Sequence, residues 1–145
     1  EIEQQIQHTV SQGAKILLGG KRFNKTFVEQ TVLDCPRTAD AARDMEIFGP
    51  VWSIIGYDEL DEAIEIANDT IYGLSSGVIG KDVNSLLKVA KNVRAGTCVI
   101  NGGGSYAPPY SPFGGYKKSG LGRQSSMECL KEFSQLKTIV FRQSY

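Results

Sequence analysis

Ile2, Ile6 and Val10 recur four positions apart in an otherwise polar opening stretch, which predicts one apolar stripe of a helix over Glu1–Gln12. Gly13 stands where a helix-ending glycine is expected. Ala14–Leu18 then reads as a short strand and Gly19-Gly20-Lys21 as a turn. Phe27–Leu33 is a second β-like run that stops at Asp34-Cys35-Pro36. Residues 37–43 are polar and show no clear period. Val51–Gly56 is a short apolar strand. Asp58 stands at a helix N-cap with Asp61 three residues on, and Leu60, Ala63, Ile64 and Ala67 follow at helical spacing. Gly73-Leu74 breaks that helix and Ser75–Ile79 is a strand of small residues. Asp82 caps the next helix, whose inner face carries Val83, Leu86, Leu87, Ala90 and Val93. Gly96 ends it, and Thr97–Asn101 is a further strand.

Strand, helix, strand, helix and strand in close succession predict two consecutive β-α-β units. Such units build a parallel sheet through right-handed crossovers, so the expected fold class is α/β. The regularity stops after Asn101. Residues 102–122 hold seven of the chain's 16 glycines and three of its five prolines. A loop of that length without its own secondary structure is uncommon in a compact domain unless it has a task. A short helix near Ser125–Phe133, with Met127, Leu130 and Phe133 facing inward, and a strand at Leu136–Arg142 complete the pattern. The chain begins at Glu1, already inside a helical stretch, which is expected of a piece of a longer polypeptide.

Composition narrows the classes. Of 145 residues, 41% are apolar and 22% charged, as in an ordered globular domain. Sixteen Lys and Arg balance 16 Asp and Glu, which leaves no basic excess for a phosphate backbone and argues against nucleic acid. No apolar run approaches the roughly 20 residues that span a bilayer, so no membrane is expected. Cys35, Cys98 and Cys129 are odd in number and widely spread, which fits a reducing cytoplasm better than a disulfide framework.

Several chemistries fail on counting. The one histidine, His8, lies on the first helix and reads as a surface or capping residue, which leaves a hydrolase triad without its base. The cysteines stand 63 and 31 positions apart, too dispersed for zinc. Gly102-Gly103-Gly104-Ser105-Tyr106-Ala107 formally matches a relaxed dinucleotide fingerprint. Pro108-Pro109 follows it, however, where a helix N-terminus would have to hold the pyrophosphate. Gly114–Ser119 lacks the glycine placement of a phosphate loop.

Two motifs remain. Glu46-Ile47-Phe48-Gly49-Pro50-Val51, then Asn101, then Pro112-Phe113-Gly114-Gly115-Tyr116-Lys117-Lys118-Ser119-Gly120-Leu121-Gly122-Arg123 resemble the aldehyde dehydrogenase superfamily. Ala67–Leu74, Ala95-Gly96-Thr97 and Leu136-Lys137-Thr138 are similar to the same family, in the same order along essentially the whole chain. The resemblance implies the C-terminal portion of a catalytic domain over residues 1–135 and a C-terminal oligomerisation strand over 136–145. It implies a parent enzyme that oxidises an aldehyde to an acid with NAD or NADP. In that chemistry a cysteine thiolate forms a thiohemiacetal and then a thioester, and a glutamate activates the hydrolytic water. Both groups lie upstream of the matched segment, none of the three cysteines aligns with the nucleophile, and this chain alone is expected to be inactive.

By position, Glu46 matches the carboxylate that holds the nicotinamide ribose, where two acceptor oxygens suit two vicinal hydroxyls. Phe48 matches the aromatic packed beside that ribose, and Phe113 a residue of the aldehyde tunnel. Each also has a plainer reading: a surface acid at a loop end, a core phenylalanine, a loop anchor. Met45 stands where the family often has a second acid. Gln124 replaces a glutamate implicated in proton relay, and glutamine cannot take a proton near neutral pH. Gly102–Tyr110 falls where substrate preference varies, with Tyr106 and Tyr110 hinting at an aromatic entrance. The alternatives are a stand-alone, non-catalytic module for assembly or binding, and an unrelated α/β binding domain. The closing strand, left as an open edge, would favour a homo-oligomer.

Overall fold

The structure is a computed structural model that describes residues 1–103 and 108–143. Helix α1 (Ile2–Ser11) leads to strand β1 (Lys15–Leu18), followed by the hairpin pair β2 (Arg22–Phe23) and β3 (Phe27–Val28) and by β4 (Thr31–Asp34). After a crossover through residues 35–50, β5 (Val51–Ile54) joins the same sheet. The order is β1-β4-β5, with β4 antiparallel to β1 and parallel to β5.

The alternation of β4 explains the core. Thr31, Leu33 and Cys35 turn to one side and are buried, while Val32 and Asp34 face the other. Against that side pack Ile6 of α1, Ala14 and Ala39, all buried, with Ile2, Val28, Val51 and Ile55 at the margin. Cys35, expected in a loop, is therefore part of the core, because its N–H continues the ladder to the Ile54 carbonyl at 2.8 Å and the strand's alternation extends to it. The opposite face of the sheet is bare: Leu18, Trp52 and Ile54 are exposed.

Gly13 closes α1 as expected. It adopts φ +102°, its N–H donates to the carbonyl of Val10, and that of Ala14 donates to the carbonyl of Thr9. This is the Schellman pair of bonds, and a Cβ at position 13 would be strained. The single run expected over Phe27–Leu33 is instead two strands. Thr31 Oγ1 donates to the Glu29 carbonyl (2.8 Å) and accepts from Gly20 N–H (3.0 Å), which turns the chain between them. The first piece pairs back onto Arg22–Phe23, helped by the stacked rings of Phe23 and Phe27, 5.5 Å apart.

The second half contains α2 (Leu60–Asn68), β6 (Ser75–Val78), α3 (Val83–Asn92) and β7 (Thr97–Ile100). Strands β6 and β7 pair in parallel across α3, from Ser75 against Thr97 to Val78 against Ile100. The fold is thus α/β with parallel sheet segments, as expected, and among the described residues this unit closes as a β-α-β pair. The other expected unit, β5-α2-β6, does not, because β5 pairs with β4 and β6 with β7, in separate sheets. Asp82 caps α3 as expected, its Oδ2 accepting from Ser85 N–H at 2.8 Å. At α2 the cap differs: Glu59 takes the N-cap position, and Glu62 reaches back to accept from Asp58 N–H at 2.9 Å. Ile64 and Leu86 are the buried apolar side chains of these helices, whereas Val83, Leu87 and Ala67 are exposed.

Helix α4 (Ser126–Glu132) forms where expected, but its apolar face does not turn inward. Met127 and Leu130 are exposed and Phe133 is 88% exposed, because no described element lies over them. Residues 136–143 form no strand; Leu136, Ile139, Val140 and Phe141 are open to solvent. No helix among the described residues is long and apolar enough to cross a membrane.

Candidate functional site

Glu46 sits in the crossover between β4 and β5, and backbone bonds shape the approach to it. The Asp40 carbonyl accepts from the N–H groups of Arg43, Asp44 and Met45, a knot at the start of the loop. Further on, the Glu46 carbonyl accepts from Gln5 Nε2 on α1 at 3.0 Å. The loop is thus pinned on both sides while the Glu46 carboxylate has no hydrogen-bond or ion-pair partner among the described residues. Two residues later the Phe48 ring is 81% exposed. The Glu46 carboxylate is itself exposed, so both groups are free to meet a ligand.

Glu46 lies on the wall of two cavities. One, about 520 Å³, also involves Thr70, Tyr72, Ser75, Ser76 and Arg94. The other, about 300 Å³, involves Phe48, Ile2, Gln5 and Arg22. The structure therefore brings Glu46 and Phe48 together and leaves Phe113 apart from both. Phe113 is held in an antiparallel bridge with Gln124, with N–H to carbonyl distances of 2.9 and 2.7 Å, and is 38% exposed. Of the two tyrosines expected at an entrance, Tyr110 is exposed and Tyr106 lies outside the described residues, as does most of the glycine-rich candidate fingerprint.

The glycine-rich segment is more ordered by hydrogen bonds than its composition suggests. Tyr116 N–H donates to the Gly73 carbonyl and Lys118 N–H to that of Ile71, while Ser119 Oγ accepts from Gly73 N–H. Lys117 Nζ donates to the carbonyls of Asn68 and Thr70, each at 3.0 Å. Arg123 lies over the Tyr116 ring, 5.3 Å from its centre, and donates to the Gly115 carbonyl. Gly96 completes the junction: its N–H donates to the Gly73 carbonyl, and a Cβ there would fall 1.6 Å from the Gly114 carbonyl oxygen. Asp44, Lys117 and Ser119 were not singled out by sequence. Their partners are main-chain atoms far along the chain, which no local pattern records.

Cys35 and His8 are held in structural roles. Burial pushes the Cys35 thiol up and the nearby Asp34 charge adds to this, against a lowering by a bond with Ser53. Cys35 is thus a neutral core side chain. His8 Nε2 lies 2.9 Å from Asp40 Oδ2, which also accepts from Gln12 Nε2, so the histidine is a surface partner of Asp40. These bonds hold the Asp40 carboxyl below its usual range. No cluster of metal-binding side chains occurs among the described residues.

Comparison with known proteins agrees with this architecture. The sequence profile of the aldehyde dehydrogenase family matches residues 1–139. The 4-trimethylaminobutyraldehyde dehydrogenase A of Danio rerio is 41% identical over 143 residues, covering 93% of this chain and 28% of that protein. Among solved structures, a Mycobacterium tuberculosis aldehyde dehydrogenase complexed with NAD+ superposes with a TM-score of 0.87 at 39% identity, over 99% of this chain and 30% of its own. The glyceraldehyde-3-phosphate dehydrogenase GapN of Methanocaldococcus jannaschii, complexed with NADP, gives 0.85 at 40% identity, over 95% and 30%. The chain thus spans about 30% of the length of the relatives it matches, and with the family's profile running along nearly all of it, it belongs to the aldehyde dehydrogenase family.

Proposed function

We propose that this chain forms part of the nicotinamide end of an NAD- or NADP-dependent aldehyde dehydrogenase, in which Glu46 holds the nicotinamide ribose and Phe48 packs beside it. The observation that carries this reading is the Glu46 carboxylate, unpartnered among the described residues, on the wall of two cavities next to an exposed aromatic ring. Its two oxygens offer acceptors to both hydroxyls of a ribose, and the Phe48 ring offers an apolar surface to the adjoining face. The donor set therefore fits the group. The dinucleotide, when bound, takes up the hydride removed from the aldehyde carbon. Glu46 and Phe48 contribute by orienting it, and neither moves a proton. Phe113 belongs to the wall on the aldehyde side.

The nucleophilic cysteine and the general-base glutamate are not supplied by this chain, so it is inactive by itself. The odd number and wide spread of its three cysteines suit a reducing cytoplasm, and its balanced charge offers nothing to nucleic acid. The exposed apolar side chains of residues 136–141 favour a homo-oligomer in which this segment pairs as a strand with a neighbouring subunit. Light scattering of the chain and of its Val140→Asp variant checks this, with the variant expected to shift toward monomer.

The active-site reading is tested by a chimaera in which this chain replaces the matched segment of the Danio rerio relative. NADH formation from an aldehyde is expected from the chimaera and not from the 145-residue chain. Glu46→Gln in the chimaera is expected to lower turnover roughly tenfold or more, since hydrogen bonds to a charged acceptor exceed those to a neutral one. A Glu46→Gln chimaera with unaltered kinetics would remove Glu46 from the site, and turnover by the chain alone would remove the claim of inactivity.

A further inference from the structure

Ile71 lies in the short linker between α2 and β6, and its two backbone groups are engaged from opposite directions. Its N–H donates to Asp44 Oδ1 at 2.8 Å, two residues before Glu46. Its carbonyl accepts from Lys118 N–H at 3.0 Å, five residues after Phe113. Arg43 adds a second tie on the Glu46 side, donating to Asp69 Oδ1 at 3.1 Å. Ser119 and Tyr116 add two more on the other side, both through Gly73. The linker is therefore held between the loop that carries Glu46 and the loop that follows Phe113.

Lys117 shows that this arrangement carries strain. It adopts φ +52°, a conformation that an L side chain with no local hydrogen-bonding group rarely takes. Its ammonium donates to the carbonyls of Asn68 and Thr70 together. Asn68 is the last residue of α2, so one of these carbonyls is a helix-end acceptor without an intrahelical donor. Strain kept in this way at a junction between loops is an observation from which function can be argued.

We propose that residues 69–73 form a positioning bridge, in which Asp44 from one side and Lys117 from the other fix the Glu46 loop relative to the loop bearing Phe113. The spacing between the ribose grip and the aldehyde-side wall is then set by this linker, with Ile71 bonded from both sides and Asp69 and Gly73 adding ties. Asp44 and Lys117 are positioning residues: neither lines the two cavities at Glu46, and each acts through the linker. The inference rests on the reading of Glu46 as the ribose ligand.

The test uses the 145-residue chain, with amide hydrogen exchange and a titration of nicotinamide mononucleotide followed by NMR. Asp44→Ala is expected to speed exchange about tenfold at Ile71 and also at Met45 and Gly49, whose N–H groups are bonded within the Glu46 loop. It should also weaken the mononucleotide response of Glu46 and Phe48 severalfold. Asp44→Asn keeps an acceptor oxygen and is expected to restore both readouts to near wild type. Lys117→Met is expected to loosen Thr70 and Ile71 and to pass the effect on to Met45. An Asp44→Ala variant in which exchange rises at Ile71 alone, with Met45, Gly49 and the mononucleotide response unchanged, would overturn the bridge. A Danio rerio chimaera in which Glu46→Gln leaves turnover and the cofactor KM unaltered, while Asp44→Ala still frees Met45 and Gly49 in the chain, overturns the ribose reading instead.

Discussion

Residues 1–57 and residues 124–143 carry apolar side chains at comparable spacing, but they end in opposite surroundings. In the first region Ile6 and Leu33 are wholly buried, because α1, β1, β4 and β5 cover one another. In the second, Phe133 and Phe141 stand about nine-tenths exposed, because no described element covers them. Periodicity tells which face of an element is apolar; whether that face is buried depends on what else the chain contains. The lesson applies within the first region too, where the inner face of the three-stranded sheet is packed and its outer face, with Trp52, is bare.

The largest effect that would break this contrast is a cavity in the closed core. Leu33→Ala is expected to cost about 2–5 kcal/mol, read from urea denaturation, which is a large share of the stability of a chain this size. A loss under 1 kcal/mol would mean that the first region is no better packed than the last. A smaller effect comes from acid. The Asp40 carboxyl is lowered by its bonds from His8 and Gln12, so its folded pKa lies below its unfolded one. Its contribution is therefore fully present above the ordinary carboxylate range and is lost as pH falls below about 4. Asp40→Asn should lower the urea midpoint at neutral pH and converge with wild type in acid, and parallel curves would show that the pairing contributes nothing. The smallest effect is expected at the tail, where Phe141→Ala should stay within about 0.5 kcal/mol of wild type. A larger loss in dilute, monomeric solution would show that the tail packs on its own chain.

Most of what was legible in the sequence was local. The stripe and closing glycine of α1, the capping aspartate of α3 and the short strands each depend on residues within one turn or one pleat. The hairpin of Phe23 and Phe27 escaped notice because Asn24 and Lys25 supply its positive φ values without a glycine to announce them. The separation of β5 from β6 into different sheets was not legible either, since strand period says nothing about which edge pairs. At the site, Glu46 and Phe48 were found through their motif. Lys117 and Ser119 stand in the glycine-rich motif without a legible role, and Asp44 outside any motif, because each binds main-chain atoms more than 25 residues away.

The junction at Gly96 sets a limit on how the molecule can be varied. With the Gly114 carbonyl oxygen only 1.6 Å from where a Cβ would sit, even alanine demands that two backbones separate, whereas Gly56 and Gly103 have open space in the same position. In a saturation library built on this chain, position 96 should therefore return a single surviving amino acid. A nearly empty column there, set against tolerant columns at 56 and 103, would report the contact between the Gly73, Gly96 and Gly114 loops without any structure being determined.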